Sequence, residues 1–340
     1  MIGRLRMLRR LAVVATAATT VAVAANVPLA GAARGPLTTG VVEVETRLGY
    51  VNAAGAATGM VLTSSGRVLT NNHVIRGATE IRVRVPESGR TYRARVLGYS
   101  VRADVALLKL RGASGLPTVS VGDSSRLRIG QNVTAVGNAG GTGTLTTTIG
   151  TITALDRTIT VGDQQGGYTR LTHLIGTDAD LRRGDSGGPL FDSAGRVIGV
   201  NTAASAELDL RSNETDGYAI PINRATSISR QIVSGRASDA VHVGATPFLG
   251  VTVEAVNASS GSIATGNRVT SVRRDSPAAR AGLTTGDVIV ALNGHEVRTP
   301  SGLVALLLRW RPGDKVRVAW VGKNGNRQAA TVTLASGPPQ

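Results

Sequence analysis

The sequence predicts a mostly β fold in two units, and three observations carry that prediction. Between Val41 and about Ile232, short β-branched runs recur every eight to twelve residues, with "SSG", "ESG" and "SAG" as turn signals between them. The 340 residues include 43 glycines and are 41% hydrophobic and 18% charged, the balance of a globular, turn-rich chain rather than a disordered or membrane-embedded one. From Phe248 onward the pattern changes to strands interleaved with two short helix candidates, so a second, smaller core is expected.

Taken in order, the chain opens with residues 1–33, read as an export segment or N-terminal anchor. Arg4, Arg6, Arg9 and Arg10 precede the apolar run "LAVVATAATTVAVAANVPLAGAA", and Ala30-Gly31-Ala32 fits the small-x-small rule for a cut after Ala32. An uncleaved anchor over Leu11 to Val27 is the competing reading, because that run approaches the length that spans a bilayer. Both readings put the remainder outside the membrane, secreted or in the cell envelope.

Residues 34–234 form the first unit. Its strand candidates are "GMVLT", "GRVLTNNHV", "EIRVRV", "ARVLGY", "VALLKL", "NVTAVGN", "GTITAL", "GRVIGVNTA" and "YAIPI", a series that describes a barrel or sandwich rather than a doubly wound sheet. The amphipathic "NRATSISRQIVSG" reads as a closing helix. Residues 235–246, "GRASDAVHVGAT", are small and polar and read as a linker.

Residues 247–336 form the second unit. Strands "LGVTVEAV", "NRVTSV", "DVIVALNG", "KVRVAWV" and "QAATVTL" flank the helix candidates "SPAARAG" and "TPSGLVALLLRW", the latter capped by Thr299 with Pro300 in its first turn. Asn293-Gly294 reads as a tight hairpin turn, since both residues tolerate positive φ.

Composition also narrows the function classes. A net charge of +16 invites a nucleic-acid partner, yet the charge is scattered and there are only two Trp, five Tyr and two Phe to stack on bases, so nucleic acid is not expected. With no cysteine, disulfides, thiolate nucleophiles and zinc–cysteine sites are impossible. His173, His242 and His295 lie in no ligand-like spacing, and no metal site is expected.

The stretch "LRRGDSGGPLF", residues 181–191, is poor helix and poor strand. A serine that attacks a carbonyl needs backbone donors aimed at the developing oxyanion. A sharp turn here would supply them around Gly184, Asp185 and Ser186, and Gly187 and Gly188 would let neighbouring backbone approach. Alone, the stretch is equally a glycine-rich turn. Upstream, however, His73 in "VLTNNHVI" follows a strand and Asp104 in "ADVALLKL" starts an apolar one. The chain order His, Asp, Ser matches one known order of the nucleophilic triad and excludes others.

These residues carry a resemblance. "TNNHVI", "DVALLKL", "TDADLRRGDSGGPLFDSAGRVIGVNTAA" and "GYAIPIN" resemble the HtrA/DegP family of trypsin-like exported serine endopeptidases, and "FLGVTV" with "SPAARAGLTTGDVIVALNG" is similar to their PDZ modules. The resemblance implies a chymotrypsin-like double β-barrel protease domain followed by an α+β PDZ domain. It implies His73 as general base, Asp104 as its orienting partner, Ser186 as nucleophile, and no cofactor. Partners would be polypeptide substrates, peptide C-termini bound by the PDZ domain, and a homotrimer built through the protease domain.

Two departures from the family pattern are visible. Asp185 stands where many relatives have Asn, and a buried acid there needs a partner such as Arg182 or Arg183. Asp180 lies six residues before Ser186, where trypsin-like enzymes place the floor of the primary specificity pocket, and an acid there would select arginine or lysine. Asn201, Thr202 and Ala203 are expected to line the same cleft. In the PDZ half, Phe248, Leu249 and Gly250 resemble the carboxylate-binding loop, Val251 and Val253 would pair with the peptide, and Leu303 and Leu307 either face the groove or fill the core. The rival class is a non-catalytic peptide-binding chaperone or adaptor.

Overall fold

A computed structural model describes residues 36–162, 168–202, 217–260 and 263–340. The proposed export segment and Ala203 lie outside the described residues. No helix among the described residues is long and apolar enough to cross a membrane.

The first six strands are β1 (Val41–Leu48), β2 (Ala53–Thr63), β3 (Arg67–Thr70), β4 (Glu80–Val85), β5 (Arg90–Ser100) and β6 (Val105–Leu110). They run in the order β5-β4-β1-β2-β3-β6, and a β5–β6 pairing closes the ring. Six more, β7 (Asn132–Gly137), β8 (Thr146–Gly162), β9 (Tyr168–Thr177), β10 (Pro189–Asp192), β11 (Val197–Thr202) and β12 (Gly217–Pro221), form a second closed barrel in the order β10-β11-β12-β9-β8-β7. The expected pair of barrels is therefore present.

Period-two alternation sorts side chains between two cores. Val42 and Val44 of β1 pack inside the first barrel with Val61, Val83 and Leu108. Val41, Met60 and Leu69 face the seam, where they join Val136, Leu174, Val200 and Ile220 of the second barrel. Glu43 is 2% exposed, and its side chain receives Arg84 Nη1 at 3.0 Å. A carboxylate so buried is tolerable only when paired. The same Arg84 nitrogen donates to the Gly143 carbonyl at 3.2 Å, fastening a second-barrel loop to the first barrel.

One turn of helix, α1 (Asn72–Ile75), follows β3, and α2 (Ile222–Val233) closes the double barrel. Ile222, Ala225, Ser229 and Ile232 are its buried face, at the spacing a one-sided helix requires.

The segment read as a linker is not a free tether. It carries β13 (His242–Val243), which pairs with β5 through His242↔Tyr99 and Val243↔Gly98. Polar composition concealed the cause, which is that Val241 and Val243 pack with Ile232 and Leu107. Close approach is possible because Gly98 has no side chain, and a Cβ there would sit 2.4 Å from the His242 carbonyl oxygen.

Next come β14 (Thr246–Phe248), β15 (Val251–Val256), β16 (Gly266–Val272), α3 (Pro277–Arg280), β17 (Val288–Leu292), β18 (His295–Glu296), α4 (Pro300–Leu307), β19 (Lys315–Val321), β20 (Arg327–Thr333) and β21 (Ala335–Gly337). The sheet order is β15-β16-β17-β19-β20, with β18 on β17, while β14 and β21 pair separately. Both short helices are capped from the side chain: Ser276 Oγ accepts from the Ala279 amide and Thr299 Oγ1 from the Gly302 amide, each at 3.1 Å. The hairpin turn has φ of 48° at Asn293 and 80° at Gly294, as its sequence predicts.

Candidate active site

The site lies where the barrels meet and is built from three short segments. The first is α1, which presents His73 one residue inside a single helical turn. The second is the residue before β6, Asp104, held at φ 54°, a left-handed conformation that few non-glycine residues adopt. That conformation turns the Asp104 carboxylate back onto α1. Its Oδ1 accepts the His73 amide at 2.8 Å and its Oδ2 lies 2.7 Å from His73 Nδ1. The Asp104 side chain is 6% exposed and that of His73 is 41% exposed. With Nδ1–H donated to the carboxylate, the lone pair resides on Nε2, at the far side of the ring.

The third segment is the turn Leu181–Gly188, where glycine is required at three places. A Cβ at Gly184 would lie 2.0 Å from the Asn138 carbonyl oxygen, one at Gly187 2.1 Å from the Thr58 oxygen and 2.2 Å from Thr70 Oγ1, and one at Gly188 2.2 Å from the Val136 oxygen. Gly184 and Gly187 also hold φ of 100° and 85°. The contact with Thr70 brings the turn carrying Ser186 against the end of β3, just ahead of His73.

Ser186 is 6% exposed, and its carbonyl accepts the Thr58 amide at 3.0 Å. The Arg183 carbonyl accepts from the Gly140 amide at 2.6 Å. In a planar trans peptide this leaves the Gly184 N–H on the opposite side. The Asp185 amide, included in the expected donor set, is already committed to the Arg182 carbonyl at 3.0 Å, which removes it from an oxyanion site.

Thr58, absent from the sequence reading, organises this turn from the other barrel. Its buried hydroxyl donates to the Gly184 carbonyl at 2.6 Å and accepts the Asn138 amide at 2.9 Å, and its carbonyl accepts Thr70 Oγ1 at 2.8 Å. Asn71 is the second residue the sequence hid, its Nδ2 donating to the Asp104 carbonyl at 2.9 Å. Both act across gaps in sequence that no local pattern announces. Thr58→Val conserves shape but leaves the Gly184 carbonyl and Asn138 amide unpaired. It is expected to cost about 2 kcal/mol, read as a lowered denaturation midpoint at unchanged slope.

Asp185 is 4% exposed, with Oδ2 accepting the Arg182 amide at 2.9 Å and Oδ1 without a hydrogen-bond partner among the described residues. Burial pushes its carboxyl above the ordinary range, against the opposing pull of the Arg182 amide. Above its ordinary pKa the folded chain therefore holds this proton more tightly than the unfolded chain does. Stability consequently falls as pH rises through that window and stays lower beyond it. Asp185→Asn retains an acceptor for the Arg182 amide and cannot ionise. It is expected to raise stability at neutral pH and to lack that part of the pH slope, as thermal unfolding from acid to neutral pH would report.

The expected specificity residues depart from the sequence reading. The Asp180 side chain is 64% exposed and paired with Arg182 Nη2 at 2.6 Å, so it is a solvated surface acid and not a pocket floor. Its carboxyl is held below the ordinary range by the hydrogen bond from Arg182. Asn201 and Thr202 are fully buried. Asn201 bonds through its main chain to Gly187 and Gly188 and through Nδ2 to the Pro189 carbonyl at 3.0 Å, bracing the Ser186 turn from behind rather than lining a cleft.

In the second unit, β15 is an edge strand bonded to β16 on one side, with Val251 and Val253 half-buried. Leu303 and Leu307 of α4 and Leu249 belong to the core cluster, the blander of the two readings for the helix pair. Gly250, at φ 89°, makes a turn in which a Cβ would sit 2.2 Å from Ser276 Cβ. The Phe248 ring packs 5.8 Å from that of Tyr50, which Arg273 covers at 3.6 Å.

Comparison with known proteins gives a consistent set of likenesses. The trypsin-like peptidase domain model matches residues 57–200 and the PDZ domain model residues 247–334. The chain is 35% identical over 294 residues to a probable periplasmic serine endoprotease DegP-like of Pseudomonas putida (strain W619), covering 84% of this chain and 57% of the relative. It is 34% identical over 283 residues to the serine protease Do-like HtrB of Bacillus subtilis (strain 168), covering 78% and 58%. The chain thus spans somewhat more than half the length of these relatives. A solved structure of the HtrA-type protease AlgW with tripeptide is 30% identical, covers 89% of this chain and 95% of its own, and superposes with a TM-score of 0.50.

Proposed function

The chain belongs to the HtrA-type family of trypsin-like serine proteases, with a PDZ domain after the peptidase domain, and on that premise we propose that it is an exported, ATP-independent serine endopeptidase. Its substrates are misfolded or processed envelope or extracellular polypeptides. Residues 34–234 serve as the protease domain and 247–336 as the PDZ domain.

The observation that carries this reading is the buried Asp104 carboxylate holding both the amide and the ring of His73, with Thr70, at the end of the strand leading to His73, packed against Gly187 of the Ser186 segment. Ser186 Oγ forms a bond to the scissile carbonyl carbon while its proton passes to His73 Nε2. The carbon–nitrogen bond then breaks as His73 returns that proton to the leaving amine. Water, deprotonated by the same nitrogen, bonds to the acyl carbon, and the bond to Ser186 Oγ breaks as His73 passes that proton to it. The amides of Gly184 and Ser186 stabilise the oxyanion. With Asp180 paired to Arg182, charge selection of basic substrates has no structural support.

The open edge of β15 fits addition of a peptide strand beside Val251 and Val253, with the Phe248–Gly250 turn taking its carboxylate. The relatives named periplasmic support export to the envelope.

A fluorophosphonate probe tests the reading directly. It is expected to label one site, and mass mapping should place the adduct on the peptide containing Ser186. No adduct, or an adduct elsewhere, overturns the proposal.

A further inference from the structure

The turn that carries His73 cannot hold itself. Four residues make one helical turn, too short to be stable on its own. The side chain of Asn71, at its N-cap, makes no capping bond and is spent on the Asp104 carbonyl instead. The turn therefore depends on ties from elsewhere, and two of these come from the far end of the chain.

Beyond β21, residues Pro338, Pro339 and Gln340 cross onto the first barrel. The Pro339 carbonyl accepts the Gly77 amide at 2.8 Å, just past the end of α1. The Gln340 main-chain oxygen accepts Asn72 Nδ2 at 3.0 Å, at the first residue of α1 and next to His73. The Gln340 amide donates to the buried Tyr99 hydroxyl at 3.3 Å. Asn72 is 3% exposed, and its Oδ1 has no partner among the described residues, so the bond to the Gln340 main-chain oxygen is the tie its side chain makes.

The composition of the segment suits the task. Proline fixes φ and brings no N–H that would need a partner, so docking it orders little and leaves no donor stranded. Its base is fixed as well, because β21 pairs with β14 and Gly337 lies so close to Phe248 that a Cβ would sit 2.5 Å from the ring.

We propose that Pro338–Gln340 is a positioning strap for the His73 turn, gripping α1 at both ends through Asn72 and Gly77. Asn72 is a positioning residue, and acts through the strap. The inference rests on the protease reading and adds to it a determinant of turnover that lies outside the protease domain.

The test compares the full chain with a chain ending at Gly337, with Asn72→Ala and with the combination of the two. Peptide hydrolysis, fluorophosphonate labelling, and hydrogen exchange over residues 70–79 are the readouts. The strap predicts a kcat loss of about tenfold in either single variant with KM changed less than about twofold, because the scissile bond is still bound while its base is misplaced. Exchange at Gly77 quickens in the shortened chain, and the combined variant is no worse than the shortened chain alone. Unchanged kcat in the single variants, or losses that multiply in the combination, overturns the strap. Should the shortened chain fail to fold, Asn72→Ala in the full chain decides by the same kcat and KM criterion. Absence of labelling in the unaltered full chain condemns the protease reading instead, and Gly77 exchange still reports whether the tie exists.

Discussion

Replacing Ser186 by alanine lowers casein hydrolysis by about 10⁴- to 10⁶-fold, while the fold and peptide capture survive. The size follows from removing the proposed nucleophile, after which only the proposed oxyanion donors and substrate binding would remain to accelerate attack by water. Survival of the fold follows from how the turn is held. Gly184 and Ser186 carbonyls accept from Thr58, and the Gly187 amide donates to Asn201, so the turn's own contributions are main-chain groups that alanine at 186 leaves untouched. Casein degradation reads the loss of turnover, thermal unfolding reads the fold, and calorimetry reads peptide binding. A wild-type chain that binds peptides, protects clients and hydrolyses nothing would be the rival chaperone or adaptor. Hydrolysis that persists in the variant would have to come from another site.

How far the sequence announces this arrangement depends on the range of each interaction. Barrel strands were legible because alternation such as Val41, Val42 and Val44 on two faces is local and repeats. Gly184, Gly187 and Gly188 were legible because positive φ and close backbone approach leave a residue type behind them. Thr58 was not, since a threonine in a strand is ordinary until its hydroxyl meets a carbonyl 126 residues away. Residues 235–246 misled for a related reason: average polarity hid Val243, which pairs as a strand, and Val241, which packs beside it. Asp180 misled because spacing from Ser186 fixes a position along the chain, whereas Arg182, two residues on, draws the side chain to the surface. Pro338–Gln340 carried no motif, and its partners lie in the first third of the chain.

Asp104→Asn is the second large effect, with kcat/KM expected to fall by about 10⁴ and KM nearly unchanged. Asparagine tolerates the left-handed backbone at φ 54° almost as readily as aspartate, so the substitution changes chemistry with little change in strain. The carboxylate uses both oxygens, one for the His73 amide and one for Nδ1–H. Asparagine has a single oxygen. If that oxygen takes the amide, its NH₂ faces Nδ1 and stabilises the tautomer whose proton sits on Nε2. A ring protonated there cannot accept the Ser186 proton, and the negative charge that stabilises the imidazolium during attack is gone as well. The His73 tautomer is readable by nitrogen NMR independently of turnover, so the cause and the loss can be measured separately. A variant that keeps more than about a tenth of wild-type kcat/KM, with Nδ1 shown to have lost its proton, would sever catalysis from this pair and leave Ser186 needing a different base.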